Sequence, residues 1–421
     1  MACGQQAPAR GSKNLIEIVR STGQSNPPKV EYTAHPLESS TVQTSRPAVP
    51  VASPNYVRVL GSAAQNSRVP GSLHPGLYQL LWQSPLPSAS SAVLLAGNRI
   101  LVQRAGGWTL FDRGGKQIAE GFSGRATITL DPSAGMFFAL GSGNTLHALG
   151  LEQGDLRFNI PLGYNESFIW PMFHRAGKRI IAAAAEQPMF APKVQPPTRS
   201  LFQAIEIGTP IKLSPYKILL SVDVQQDLIF KDANMIPVAS GDILWAVLPG
   251  LLIRTSPAQG IDGAWTDSFK AISASADEAG WLHMLVAAGP TATPELWIVT
   301  PEGRRIVRAQ VPVAYRDSKL PPAIGYDRRI YLRSSRHMAA FSPQGELLWE
   351  AQSAAPIAGL SATPDGRIVI AAGRDIAVYD TNGNSTPLVT LPSAATTPPV
   401  VTVDGEILIG TEAGLFCFAV R

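Results

Sequence analysis

From about Leu80 to the C-terminus the chain repeats one motif, a short turn holding Gly or Asp followed by a run of apolar residues. The copies read GNRILV, GMFFAL, GKRIIA, GDILWAV, GWLHMLV, YDRRIYL, DGRIVIA and DGEILIG. One apolar residue from each (Ile100, Phe137, Ile180, Ile243, Leu282, Ile330, Ile368 and Ile407) gives intervals of 37, 43, 63, 39, 48, 38 and 39 residues. Apolar runs this short, bounded by turn formers, are strands rather than helices. A recurring interval near 40 residues means that one supersecondary unit is used again and again.

A second element follows each anchor, as in WTLFDRGGKQI, LHALGLEQGDLRF, LWIVTPEGRRIV, MAAFSPQGELLW and IAVYDTNGNSTPL. Each is a strand, a turn rich in Gly, Asp, Asn or Pro, and another strand, so the unit is a sheet of four short strands. Such a sheet cannot bury both faces alone, whereas copies set around an axis bury one another, which is a β-propeller. The expectation is an all-β, eight-bladed propeller of four-stranded blades. The last unit, PPVVTVDGEILIGTEAGLFCFAVR, supplies only three strands. Its fourth is expected from YQLLWQSP, whose Leu80-Leu81-Trp82 repeats Leu347-Leu348-Trp349 of the sixth unit. Pairing of that N-terminal strand with residues 415–419 would close the ring. Trp82 and Trp349 would then end outer strands, where an indole wedges between neighbouring blades.

The preceding residues have another texture. Residues 1–75 carry nine prolines and fourteen Ser/Thr, too little apolar surface to offset chain entropy. They read as a flexible tether, with residues 76–421 as the propeller. One apolar segment, KNLIEIVR, is either a docking strand or helix, or a transiently structured piece of tail. The tether holds seven Lys/Arg and three Asp/Glu, leaving 28 of each for the rest. The body is therefore neutral overall, which argues against nucleic acid as a partner. The two cysteines, Cys3 and Cys417, form no disulfide framework and no zinc spacing. No run of about 18 apolar residues occurs that would span a membrane as a helix. Met1-Ala2-Cys3-Gly4 resembles the end of a bacterial lipobox, so Cys3 is the expected lipid attachment site and the cell envelope the expected location.

The later turn of each unit resembles the PQQ-like β-propeller repeat of bacterial quinoproteins and of the BamB-like outer-membrane assembly lipoproteins. In that family a blade ends as a strand, a D-x-x-G type turn, and a strand finishing in Leu-Trp. MAAFSPQGELLW follows this pattern, LHALGLEQGDLRF follows it with Phe158 in place of Trp, and IAVYDTNGN follows it as far as the turn. The resemblance covers about residues 78–421 and implies the propeller fold. Alcohol dehydrogenases of this family set an adjacent Cys-Cys disulfide against the quinone and hold a calcium or lanthanide ion with acidic and amide side chains. No such cysteine pair occurs here, so neither a quinone nor any other cofactor is expected, and no metal.

Few residues suggest chemistry. None of the six histidines has metal-ligand spacing. DTNGNS at Asp380 has Leu391 where a calcium loop needs a bidentate Glu, and Asp-x-x-Gly is what a tight turn wants. The interval of 63 residues contains the best candidate for function. EQPMFAPKVQPPTRS (residues 186–200) inserts four prolines, the apolar pair Met189 and Phe190, and basic Lys193 and Arg199. A proline-rich loop loses little entropy on ordering against a partner, and binding residues concentrate on loops of rigid scaffolds. Trp170, in ESFIWPMFHR, lies near it in the same unit. The expected function is a non-catalytic protein-interaction scaffold of the bacterial envelope, a monomeric propeller docked on protein partners in or on a membrane. The alternative is a quinoprotein-like enzyme or ligand-binding propeller with its site in the central channel.

Overall fold

The computed structural model describes residues 68–420 apart from 87–89, 123–127, 132–133, 142–144, 162–167, 177–178, 187–198, 208–215, 226–235, 241–242, 257–259, 278, 288–291, 317 and 319. Before residue 68 it describes 15–19, 29–33, 35–39 and 56–58. For 15–19, 29–33, 56–58 and the strands within 168–225, it is the backbone that is described.

The protein is all-β. Among the described residues, eight sheets each hold four antiparallel strands; in the first seven these follow sequence order, over 90–122, 129–161, 168–225, 236–266, 270–310, 323–352 and 357–390, and the eighth takes three from 400–420. The eighth sheet takes its fourth strand from Tyr78–Ser84, which pairs antiparallel with Gly414–Val420. The register sets Cys417 opposite Trp82 and Phe418 opposite Leu80, with an irregularity that passes over Leu81.

Burial follows the sequence pattern. Second strands such as Met136–Leu140, Leu282–Ala287 and Ile407–Thr411 are buried at every position, because a sheet packs on each of their faces. Fourth strands such as Leu347–Gln352 and Gln117–Phe122 alternate between exposed and half-buried residues. Consecutive sheets share apolar cores: Trp108 meets Phe137 edge-on at 4.9 Å between the first and second sheets. The eighth sheet packs on the first in the same way, through Ile407 and Phe416 with Val93, Ile100 and Phe111. Arg113 of the first sheet also reaches Asp404 and Glu406 of the eighth, 3.0 Å from each.

The indole of a fourth strand locks onto the later turn of the next sheet. Trp82 lies against Gly115, Trp265 against Gly303 and Trp349 against Gly383. These glycines have φ of +82°, +77° and +85°, so the turn needs positive φ and the neighbouring indole leaves no space for a Cβ. A Cβ on Gly115 would sit 2.4 Å from the Trp82 ring. The expected wedge of Trp82 and Trp349 between sheets is thus present, and Trp349 also stacks on Tyr379 of the next sheet, with ring centroids 5.9 Å apart. DTNGNS is a turn: the Asp380 carboxylate accepts the N–H groups of Asn382 and Asn384 at 2.8 and 2.9 Å.

The N-terminal region does more than trail from this body. Leu15–Val19 is a strand paired with Lys29–Thr33, and it lies beside Tyr216–Gln225, the fourth strand of the third sheet. Residues 35–39 and 56–58 add strands to three of the sheets. Residues 68–73, expected as the end of the tether, are packed, with Val69 and Leu73 buried in the core shared by the first, seventh and eighth sheets.

Candidate functional site

Two stretches of the N-terminal region are bound by the sheets. The first is the pentapeptide His35-Pro36-Leu37-Glu38-Ser39. His35 and Pro36 pair in parallel with Trp265 and Thr266 at the edge of the fourth sheet. Glu38 and Ser39 pair in parallel with Arg304 and Arg305 at the edge of the fifth. The peptide therefore crosses from one sheet edge to the next, and Leu37 falls at the seam. Its N–H bonds the carbonyl of Thr266 at 2.9 Å, and its side chain is buried with Phe269, Trp297 and Val299. Backbone pairing supplies affinity in such strand addition, and the pocket for the alternate side chain supplies selectivity.

Charge frames the seam. The Arg305 guanidinium lies 4.3 Å from the Trp297 ring centre, bonds Asp267 at 2.6 Å and donates to the Ser39 hydroxyl at 2.7 Å. Arg308 forks onto Glu295 at 2.7 and 3.0 Å, and the Trp297 indole N–H donates to the same carboxylate at 2.8 Å. Burial pushes the Glu295 carboxyl up, but the Arg308 and Trp297 hydrogen bonds outweigh it and hold the group below the ordinary carboxylate range.

The second stretch, residues 68–74, straps the first turns of the sixth, seventh and eighth sheets. Arg68 is buried and donates to the carbonyls of Ile324 and Gly325 at 3.1 and 2.7 Å, 5.1 Å from the Tyr326 ring centre. Val69 donates to Ala362 at 2.9 Å and accepts from the Tyr326 hydroxyl at 3.0 Å. Gly71 passes so close to Thr402 that a Cβ would lie 1.6 Å from its carbonyl oxygen. Ahead of the strap, Tyr56–Arg58 pairs antiparallel with the first strand of the first sheet. First-strand edges of the first, seventh and eighth sheets are therefore hydrogen-bonded to the protein's own chain.

The residues singled out from sequence lie elsewhere. Trp170 is in the first strand of the third sheet, at a register irregularity between Ile169 and Met172. Arg199 opens the third strand of that sheet, opposite Gln225. Ile169 faces Ala185 and Ala185 faces Ser200, so the backbone brings Trp170 and Arg199 to the same end of the sheet, at the base of the 187–198 segment. Met189, Phe190, Lys193 and Cys3 fall outside the described residues. Sequence reasoning missed Leu37, Arg68, Arg305 and Trp297. The available signals were a lone leucine after a proline in a polar tail and two adjacent arginines in a fourth strand, neither of which names a partner.

No family model and no curated protein matches the sequence. Solved structures do match by shape. BamB from Moraxella catarrhalis superposes with a TM-score of 0.56 at 12% identity, over 81% of this chain and 99% of that one. A europium-containing methanol dehydrogenase gives 0.62 at 10% identity, over 88% and 99%. The quinohemoprotein alcohol dehydrogenase from Comamonas testosteroni gives 0.60 at 10% identity, over 84% and 78%. The fold is that of the PQQ-like β-propellers. The sequence has no adjacent cysteines, and Cys417 is buried in the sheet core. Among the described residues no three His, Cys, Asp or Glu side chains gather as a metal site requires. No helix of the described residues is long and apolar enough to cross a membrane.

Proposed function

We propose that this protein is a non-catalytic interaction scaffold of the bacterial cell envelope, built on an eight-bladed propeller whose ring is closed by the pairing of Tyr78–Ser84 with Gly414–Val420. The observation that carries the functional reading is the pentapeptide at the seam of the fourth and fifth sheets. There the rim recognises an extended peptide by strand addition with a buried leucine anchor, the chemistry a docking scaffold needs. Closure is supported by the packing of the eighth sheet on the first and by Trp82 seated on Gly115. In this reading the body starts at residue 68 rather than 76, because the strap belongs to its core. The chain before it is a tether clipped to the rim, held to a membrane through lipid on Cys3. The loop with Met189, Phe190 and Lys193, between Trp170 and Arg199, docks a protein partner within a membrane-associated complex.

The alternative, an enzyme or ligand-binding propeller with a site in the central channel, draws on the dehydrogenases among the structural neighbours. A channel ligand must touch the innermost strands. In a closed ring those are the first strands, and residues 56–58 and 68–71 already occupy edges of three of them. That occupancy favours the scaffold.

Affinity purification of the tagged full chain from bacterial envelopes, with intact-mass analysis of its N-terminal peptide, tests the proposal. A stoichiometric protein partner and a lipid-modified Cys3 are expected, with the partner lost when residues 187–198, between the paired strands, are replaced by a short Gly/Ser linker while the melting temperature is kept. A soluble, unmodified protein recovered without a partner would overturn it.

A further inference from the structure

The seam of the fourth and fifth sheets, which holds the pentapeptide, has a counterpart at the seam of the sixth and seventh. Trp265 rests against Gly303 at the first seam, and Trp349 rests against Gly383 at the second. Counting back four, six and eight residues from each glycine matches Val299 with Tyr379, Trp297 with Ala377 and Glu295 with Asp375. The first strands of the later sheets match too: Ala271 pairs with Val286, and Ile357 pairs with Ala372. Phe269, two residues ahead of Ala271, therefore corresponds to Ala355, two ahead of Ile357. Where the first seam buries Leu37, the rings of Phe269 and Trp297 stand with centroids 5.4 Å apart. The second seam has a methyl group in place of each ring.

At that place lies a cleft of about 180 Å³, lined by Ala355, Ala377 and Tyr379 together with Met338, Ile370 and Asp375, among others. An apolar cavity of about 150 Å³ admits a benzene-sized group, so a leucine, methionine or phenylalanine side chain fits here. The edge beside it is open as well. Trp265 and Thr266 pair with His35 and Pro36, whereas Leu347–Gln352 has no strand on its outer side among the described residues. Leu347 and Leu348 of that strand are 47% and 43% exposed. Charge differs between the two seams. Arg304 and Arg305 pair with Glu38 and Ser39 at the first, and Asn384 and Ser385 take their places at the second. Glu350 follows Trp349 where Thr266 follows Trp265, and the exposed Asp375 lines the cleft.

We infer that the seam of the sixth and seventh sheets is a second peptide-docking site, which takes an extended segment of a partner protein with a large apolar side chain in the cleft and lysine or arginine beside it. The segment adds in parallel to Leu347–Gln352, as His35 and Pro36 add to the fourth sheet. Cations beside the anchor answer Glu350 and Asp375, and like charge disfavours an acidic clip such as HPLES. This second site presupposes that the first seam works by strand addition, as proposed above.

The test is fluorescence anisotropy of a labelled peptide, KPLKS, titrated with the full chain, beside the peptides KPAKS and HPLES. Saturable binding of KPLKS is expected, with KPAKS roughly tenfold to a hundredfold weaker for want of the buried leucine. Ala377→Trp restores the ring found at the first seam and is expected to weaken KPLKS at least tenfold. Asp375→Lys, at an exposed position, is expected to weaken it about three- to tenfold and to narrow the gap to HPLES. That variant keeps the test decisive if Ala377→Trp does not fold. Leu37→Ala, which empties the first seam, tells the sites apart: binding that strengthens in it and persists in Ala377→Trp belongs to the first seam and overturns the second. Uptake of HPLES by the Leu37→Ala protein reports on the first seam alone. If it occurs while wild type takes up no KPLKS, the second site is overturned and the first stands. A dimer of the free protein that KPLKS disperses would make a second copy the occupant and overturn the assignment to a partner.

Discussion

Gly115→Ala separates two costs that the structure predicts at the seam between the eighth and first sheets. At φ +82° an alanine suffers the left-handed penalty, roughly 1–2 kcal/mol. Its Cβ would also fall 2.4 Å from the Trp82 ring, and displacing a packed indole costs about 1–3 kcal/mol more. The sum is about 2–5 kcal/mol. Gly97→Ala is the internal control: its φ is +57° and a Cβ there meets nothing within 4 Å, so it should lose only the backbone share. Urea unfolding of Gly115→Ala, Trp82→Ala and the double variant completes the cycle. With the indole gone, Gly115→Ala should cost about 1–2 kcal/mol, leaving a coupling of about 1–3 kcal/mol. A coupling near zero, with Gly115→Ala equally damaging in both backgrounds, would refute the claim that Trp82 locks the last sheet to the first.

Other perturbations probe the clip and the core. Leu37→Ala should release the pentapeptide without unfolding the sheets. With burial of one leucine worth about 1.5–3 kcal/mol, exchange of the Leu37 amide should quicken roughly 10- to 100-fold while protection of Ile407–Thr411 is unchanged. Equal loss of protection in both places would show that residues 35–39 are integral to the fold. Cys417, fully buried, has its thiol pushed up to about 12 chiefly by burial, with Glu406 adding to it. The unfolded thiol ionises near its ordinary value of 9.0. Between those values the folded state holds the extra proton, so stability should fall as pH rises from about 9 toward 12. Cys417→Ala should flatten that decline, and a thiol reagent should label the wild-type residue at pH 8 only after denaturant is added.

The repeat was legible because it is local. Continuous apolar strands such as DGEILIG advertise burial on both faces, and D-x-x-G turns advertise positive φ. Leu-Leu-Trp at residues 80–82 announced an outer strand, and the three-stranded last unit announced that it needed one. By itself, then, the sequence determined an all-β repeat protein and the mate of its orphan strand, because side-chain periodicity and turn chemistry act over a few residues. Tertiary structure alone decided the rest. Nothing in HPLES shows that Leu37 fills a hole made by Phe269 and Trp297, and nothing in the tail shows that Gly71 must pass within reach of Thr402. The contacts of Leu37 and Gly71 join residues hundreds of positions apart. What a side chain meets there depends on which sheets are neighbours and how the chain crosses them, and short-range patterns carry no record of that.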